Sequence, residues 1–397
     1  MKTKIASHFF MALVLLVAFS CQNNDVVTDN PITKLELSLS SDYIEVGQTD
    51  SLVLTIYPQE ATNQNITYSS SDASIAEVDN DGVVKGIAPG RATITVSDKE
   101  NKLTASHTVQ IVKWTTYYNP TSVYVRPIAV DAEDNVWSGG EELTRFAQNM
   151  QEISTKVRNV SAIAVNNEDR WFGTVDSGIW RYNGSNWTNF TKDANDEAFG
   201  PINYNAMMVD DNGNIWFDSK NGVTMFDGNQ WQTFSSDNGL VYNNIMNMAT
   251  DNNGVKWFAT SRGISSFDDE QWTSYTTEST GIGELDYVFS VAVDKENNKW
   301  FGSYYGALKF DGENWTHYNR TNSDIKWETI NAITVDKDNN IWFATEGGVI
   351  KFDGERWMHY LHVHQTGVNL HNVRAIDLDS KGNVWLGTTY GFVKLEM

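Results

Sequence analysis

The chain has 397 residues, with 29 Lys and Arg against 51 Asp and Glu, a formal net charge of −22 and one cysteine. So large a negative excess argues against nucleic acid as a partner, because a polyanion is held by neutralising its phosphates with Lys and Arg. A single cysteine permits no disulfide within the chain, and no motif in it calls for a cofactor.

The first element is residues 1–20, with Lys2 and Lys4 at the start, an apolar run from Phe9 to Phe19, and Ser20 directly before Cys21. A basic start followed by a short apolar run reads as an export signal. The run falls short of the roughly 20 residues a bilayer-spanning helix needs. Ala18-Phe19-Ser20-Cys21 resembles the lipobox of bacterial lipoproteins. That resemblance implies cleavage before Cys21 and acylation of it, and several acyl chains give lasting membrane attachment. Residues 21–30 are then a linker, and the expected location is the outer membrane, on its periplasmic or cell-surface side.

A first domain follows over residues 31–112, where no tryptophan occurs and Ser, Thr, Val and Ile abound. Alternating segments at Leu35–Leu39, Ser51–Tyr57 and Ala92–Val96 predict short strands bounded by Gly, Pro, Asn and Asp. Strands at that spacing predict a β-sandwich. Asp79-Asn80-Asp81-Gly82 is expected to be a hairpin turn, since the bidentate Glu of a calcium loop is missing. The run Ile66–Val96 closely resembles the group 2 bacterial immunoglobulin-like domain, which implies a spacer between the membrane and whatever comes next.

From Trp114 onward all fifteen tryptophans appear. A tryptophan set behind an acidic or amide residue, with six positions taken as the interval, recurs at Trp137, Trp171, Trp216, Trp257, Trp300, Trp342 and Trp385. A period of about 40 residues is the mark of a repeat architecture. The fullest copy parses into four strands: INAITVD (330–336), IWFAT (341–345), VIKF (349–352) and RWMHY (356–360). Asp-Gly and Gly-Gly punctuate them, because glycine tolerates positive φ and Asp caps its own backbone. One such sheet cannot cover both apolar faces and must stack radially on its copies. The expected architecture is all-β: an immunoglobulin-like β-sandwich followed by a seven-bladed β-propeller at 113–397. The last repeat lacks a fourth strand, and residues 113–118 are expected to supply it and close the ring. The repeats resemble those of two-component regulator propellers, sensor modules found outside the membrane.

Propeller ligands are expected on the face that gathers the loops between second and third strands and those leading into the next blade. Tyr304, Tyr305 and Tyr390 fall in such loops, with Arg262, Asp218 and Glu346 at similar positions. Aromatic faces beside polar groups suit sugar rings, which stack through C–H and hydrogen-bond through hydroxyls. Trp327 belongs to no repeat position; it either folds against Ile325 or Ile330 or serves as a stacking platform. His359, His362, His364 and His371 lie near one another in sequence, yet without cysteine they would have to converge from one loop, so no metal site is expected. The ligand site is therefore read as Trp327, Tyr304, Tyr305, Tyr390, Arg262 and His371, with carbohydrate the favoured ligand and a protein partner the alternative.

No local signature of a nucleophile elbow, zinc helix or phosphate loop is present, and the reading leans away from an enzyme. NIWFATE (340–346) distantly resembles the repeats of streptogramin lyases. That resemblance implies a histidine and a glutamate acting with a metal, for which Glu346 and His371 are the candidates.

Overall fold

Alternating Thr and aliphatic residues build the first domain directly. A computed structural model describes residues 30–62, 65–100, 102–117, 127–147, 150–166, 168–191, 199–203, 205–283, 285–360, 370, 372–388 and 391–397. Cys21, His362, His364, His371 and Tyr390 lie outside the described residues. In the strand Gly90–Asp98, Ala92, Ile94 and Val96 are buried. Thr93 and Thr95 face outward and share hydrogen bonds with Thr108 and Ser106, at 3.2 and 3.0 Å. One sheet orders Lys34–Leu39, Thr49–Tyr57, Val83–Gly86 and Ala76–Val78 side by side. The facing sheet holds Ile66–Ser70, Gly90–Asp98 and Leu103–Tyr117. Asp79 is a hairpin cap, its Oδ1 accepting the N–H groups of Asp81 and Val83 at 2.9 Å.

The strand Leu103–Tyr117 belongs to both halves of the molecule. Its residues 103–111 pair with Gly90–Asp98 of the sandwich. Its residues 113–117 pair with Phe392–Glu396 and so form the outermost strand of the last blade. The junction is further tied where Asp42 Oδ2 accepts the His359 N–H at 3.0 Å and Tyr43 stacks on Tyr360 at 5.2 Å.

Among the described residues the remaining strands make seven blades. Blades 3, 4, 5 and 6 are separate four-stranded antiparallel sheets, beginning at Met207–Val209, Ile245–Thr250, Val288–Val293 and Ile330–Val335. Blades 1 and 2 depart from the expected pattern. A single strand, Met150–Val165, is fourth strand of one and first strand of the next, so the two merge into a seven-stranded sheet.

The Asp-to-Trp interval has a physical cause. In six blades the aspartate turns the chain between first and second strands, and its Oδ2 accepts the tryptophan Nε1–H at 2.8–3.1 Å. Blade 2 differs: Asn166, five residues before Trp171, caps a shorter turn by accepting the Asp169 N–H at 2.6 Å. With its Nε1–H satisfied, the rest of each indole fills the gap between blades. Trp300 stacks on Tyr318 at 5.7 Å and meets Phe343 and Phe352 of blade 6 at 6.0 and 5.8 Å. A buried indole of this kind contributes at most about 4–6 kcal/mol by area.

Close packing also dictates small residues at the fourth position of the second strands. Gly139, Gly173, Ala259, Gly302, Ala344 and Gly387 hold it in six blades. A Cβ on Gly302 would stand 2.5 Å from Ile330 Cγ2 of the next blade. Blade 3 places Asp218 there instead.

Candidate functional site

The loops between second and third strands and the segments leading into the first strands meet on one face and are laced together by backbone bonds. The Tyr287 N–H donates to Ser261 O at 3.1 Å, and Tyr287 O accepts the Tyr304 N–H at 3.2 Å. Farther round, the Asn372 N–H donates to Glu346 O at 2.8 Å. Side chains at these positions are thus presented from a fixed frame.

At the inner ring, polar side chains tie blades together, one bond crossing from blade 3 to blade 7 and the others joining neighbours. Asn205 Nδ2 donates to Arg374 O at 3.3 Å, and Asn247 Nδ2 donates to Asn205 O at 2.9 Å. Asn331 Nδ2 donates to Val373 O at 2.8 Å, and Arg374 Nη1 donates to Asn331 Oδ1 at 3.3 Å.

Two pockets open on this face. The larger, about 640 Å³, is walled by Phe289, Tyr304 and Trp327, with Glu346, Asn331, Asn372 and Arg374 supplying polar groups. The structure thus brings Trp327, Tyr304 and Glu346 together. Tyr304 is 54% exposed and its ring contacts that of Tyr305 at 5.2 Å. Trp327 is half-buried, and its indole lies over Gly347, where a Cβ would sit 2.1 Å from Cε2. The other second-to-third loops carry Asn221, Arg262, Tyr305 and Tyr390 at this point, and glycine leaves the room that the indole takes.

The smaller pocket, about 450 Å³, is lined by Asn203, Lys220, Ser236, Tyr242, Asn243 and Asn244, with Asp218 at its base. Asp218 is buried, and burial pushes its carboxyl up to about 7 against two backbone N–H donors, Ile245 at 3.0 Å and Asn203 at 3.3 Å. Arg262 does not reach the larger pocket; its guanidinium lies 4.9 Å from the Tyr242 ring centre.

Phe289, Asn331, Asn372, Arg374, Tyr242 and Tyr287 were not singled out by sequence. A signal did exist. One residue beyond the buried Ile or Val at the start of each first strand, the repeats carry Met246, Phe289, Asn331 and Arg374, a position of mixed chemistry directly after a constant aliphatic one. Among the described residues no group of His, Cys, Asp and Glu is arranged to hold a metal. Glu346 lines the larger pocket, while its histidine counterpart in the lyase resemblance lies outside the described residues.

The ring, with two polar-aromatic pockets on its loop face, is a β-propeller attached to an immunoglobulin-like domain. Residues 31–109 match the family Bacterial Ig-like domain (group 2), and residues 324–347 match Two component regulator propeller. An uncharacterised protein of Clostridium acetobutylicum is 38% identical over 92 residues, 23% of this chain and 9% of that protein. The kappa-carrageenase of Pseudoalteromonas carrageenovora is 39% identical over 80 residues, 20% of this chain and 19% of the enzyme. The chain thus spans no more than about a fifth of these curated relatives.

Solved structures extend the likeness in fold. An extracellular domain of B. thetaiotaomicron named for a hybrid two component system matches with a TM-score of 0.61 at 16% identity, over 91% of this chain and 51% of its own. Streptogramin B lyase matches with a TM-score of 0.58 at 15% identity, over 72% of this chain and 97% of the lyase. PorZ, a surface component of the type-IX secretion system of Porphyromonas gingivalis, matches with a TM-score of 0.54 at 15% identity, over 91% of this chain and 57% of PorZ.

Proposed function

We propose that this chain is a lipid-anchored extracytoplasmic binding protein, whose propeller face takes a carbohydrate while the immunoglobulin-like domain spaces it from the membrane. The observation that carries this reading is the larger pocket, which Tyr304 and Trp327 line together with Glu346, Asn331, Asn372 and Arg374. Aromatic rings stack on the C–H faces of a pyranose, and the amides and charged groups answer its hydroxyls. The anchor is Cys21, on the strength of the lipobox resemblance. Supporting the location are the extracellular and surface proteins that share the fold, and no helix among the described residues is long and apolar enough to cross a membrane.

Affinity gel electrophoresis of the purified protein across a panel of plant, algal and host polysaccharides tests this. Retardation by one glycan, weakened in Trp327→Ala and Tyr304→Ala, is the expected result. Absence of retardation throughout overturns it in favour of a protein partner, for which exposed aromatic anchors are equally suited.

A further inference from the structure

The two pockets are not isolated from one another. From Tyr242, which lines the smaller, the path passes to Arg262, whose guanidinium stacks on that ring at 4.9 Å. The backbone of Arg262 bridges Asp286, the neighbour of Tyr287. Tyr287 lies 6.5 Å from Phe289, ring centre to ring centre, and Phe289 is a wall of the larger pocket. Tyr304 and Trp327 complete the series.

Exposure along this path sets it apart from the rest of the ring. Among the described residues of the propeller, Tyr287 at 55% and Tyr304 at 54% are the two aromatics more than a third exposed. Every other aromatic there is at least half spent on packing. Tyr287 also has φ +57°, a left-handed conformation that costs a bulky residue roughly 1–2 kcal/mol. The backbone bonds to Ser261 O at 3.1 Å and from the Tyr304 N–H at 3.2 Å hold that conformation and leave the ring exposed on the loop face.

Charge on the path is balanced, although the chain as a whole is strongly acidic. Lys220, Arg262 and Arg374 stand against Asp286 and Glu346, with the buried Asp218 partly protonated near neutral pH. Such a surface neither attracts nor repels a polyanion strongly and matches a neutral chain of sugars. Each pocket lies in the size range of roughly 300–1,000 Å³ that holds a small ligand.

We infer that the face binds a neutral linear oligosaccharide laid across blades 3 to 6, with the two pockets as separate subsites joined by Arg262 and Tyr287. The inference rests on the carbohydrate reading of the larger pocket. A chain that fills one subsite presents its continuation to the other at high effective concentration, so affinity climbs with length until both are occupied.

Isothermal titration of the purified protein with cello-, laminari-, manno- and xylo-oligosaccharide ladders, from monosaccharide to hexasaccharide, tests it. Affinity in one series is expected to rise at least ~10-fold with length and then level off. Trp327→Ala is expected to weaken every length alike. Tyr242→Ala and Tyr287→Ala are expected to weaken binding by a factor that grows with length, and thermal melts confirm that each variant folds. A ladder that binds with equal affinity from monosaccharide to hexasaccharide overturns the two-subsite arrangement and leaves the carbohydrate reading standing, as does a length-dependent ladder untouched by Tyr242→Ala and Tyr287→Ala. A ladder set in which nothing binds overturns both.

Discussion

Gly347→Ala perturbs the Trp327 platform without altering the ring itself. The added Cβ would stand 2.1 Å from Trp327 Cε2. Carbon atoms in good contact sit ~3.5–4.0 Å apart, so the indole must withdraw by roughly 1.5 Å. Position 347 is not in the left-handed region, so alanine brings no backbone strain. Loss of glycine's freedom in the unfolded chain favours the variant by ~0.4–1 kcal/mol, and overpacking opposes it by ~1–3 kcal/mol if the ring stays wedged. The net change in stability is therefore small. On the proposed carbohydrate reading binding is more sensitive: an indole pushed off its place forfeits a stacking contribution of about 1–2 kcal/mol, or about 5–30-fold in Kd. Titration of the retarding glycan against the unmodified protein, Gly347→Ala and Trp327→Ala measures this, with a thermal melt of each. Both variants are expected to weaken binding to a similar degree. Full affinity in Gly347→Ala alongside a weakened Trp327→Ala would refute the argument that glycine seats the ring.

Other outcomes follow from the frame around the site. Burial lifts Asp218 to about 7 and Asp377 to about 6, above the ordinary carboxylate value. The folded state thus holds their protons longer than the unfolded chain does, so their contribution is full at low pH and is lost as pH rises through those values. For Asp218 the loss amounts to as much as ~4 kcal/mol between pH 4 and 7, and Asp218→Asn should flatten the slope in urea titrations at several pH values. Asp336→Ala leaves Trp342 Nε1–H and the Asn340 N–H without their acceptor and should cost ~2–4 kcal/mol, read as a lower urea midpoint. Asp336 is also buried, yet the Trp342 and Asn340 donors outweigh burial and hold it below its usual range, so acid should erode its contribution. Removing residues 391–397 unpairs Lys113–Tyr117 and should abolish the propeller transition in calorimetry while the immunoglobulin-like domain still melts.

The repeat was legible because its marks have local causes. An aspartate that turns the chain and holds the following indole must sit at a set distance from it, and Asp-Gly turns recur for reasons of φ. Asn166 escaped the interval because its turn is one residue shorter, and the shared strand Met150–Val165 escaped because nothing in its residues marks where one blade stops. The site was legible only in part. Tyr304 stood out as a loop aromatic, whereas Phe289, Asn331 and Arg374 lie at the edge of innermost strands and read as strand residues. Arg262 was picked as a loop cation, but the Tyr242 ring under its guanidinium is set by tertiary packing. The room that Gly347 leaves for Trp327 joins residues twenty apart and has no signature in either alone.

The strand Leu103–Tyr117 also bears on how the ring comes together. Its edge is bonded to Gly90–Asp98, early neighbours that pair through a short hairpin, so the sandwich assembles on local contacts. Its far end waits for Phe392–Glu396, which follow every other blade along the chain. Closing so long a loop is entropically slow, and until it closes the tryptophan-lined blades expose unpaired edges that invite aggregation. A sandwich already formed holds Lys113–Tyr117 extended and in register, a ready template for the last strand. The sandwich thereby doubles as an intramolecular folding aid for the propeller.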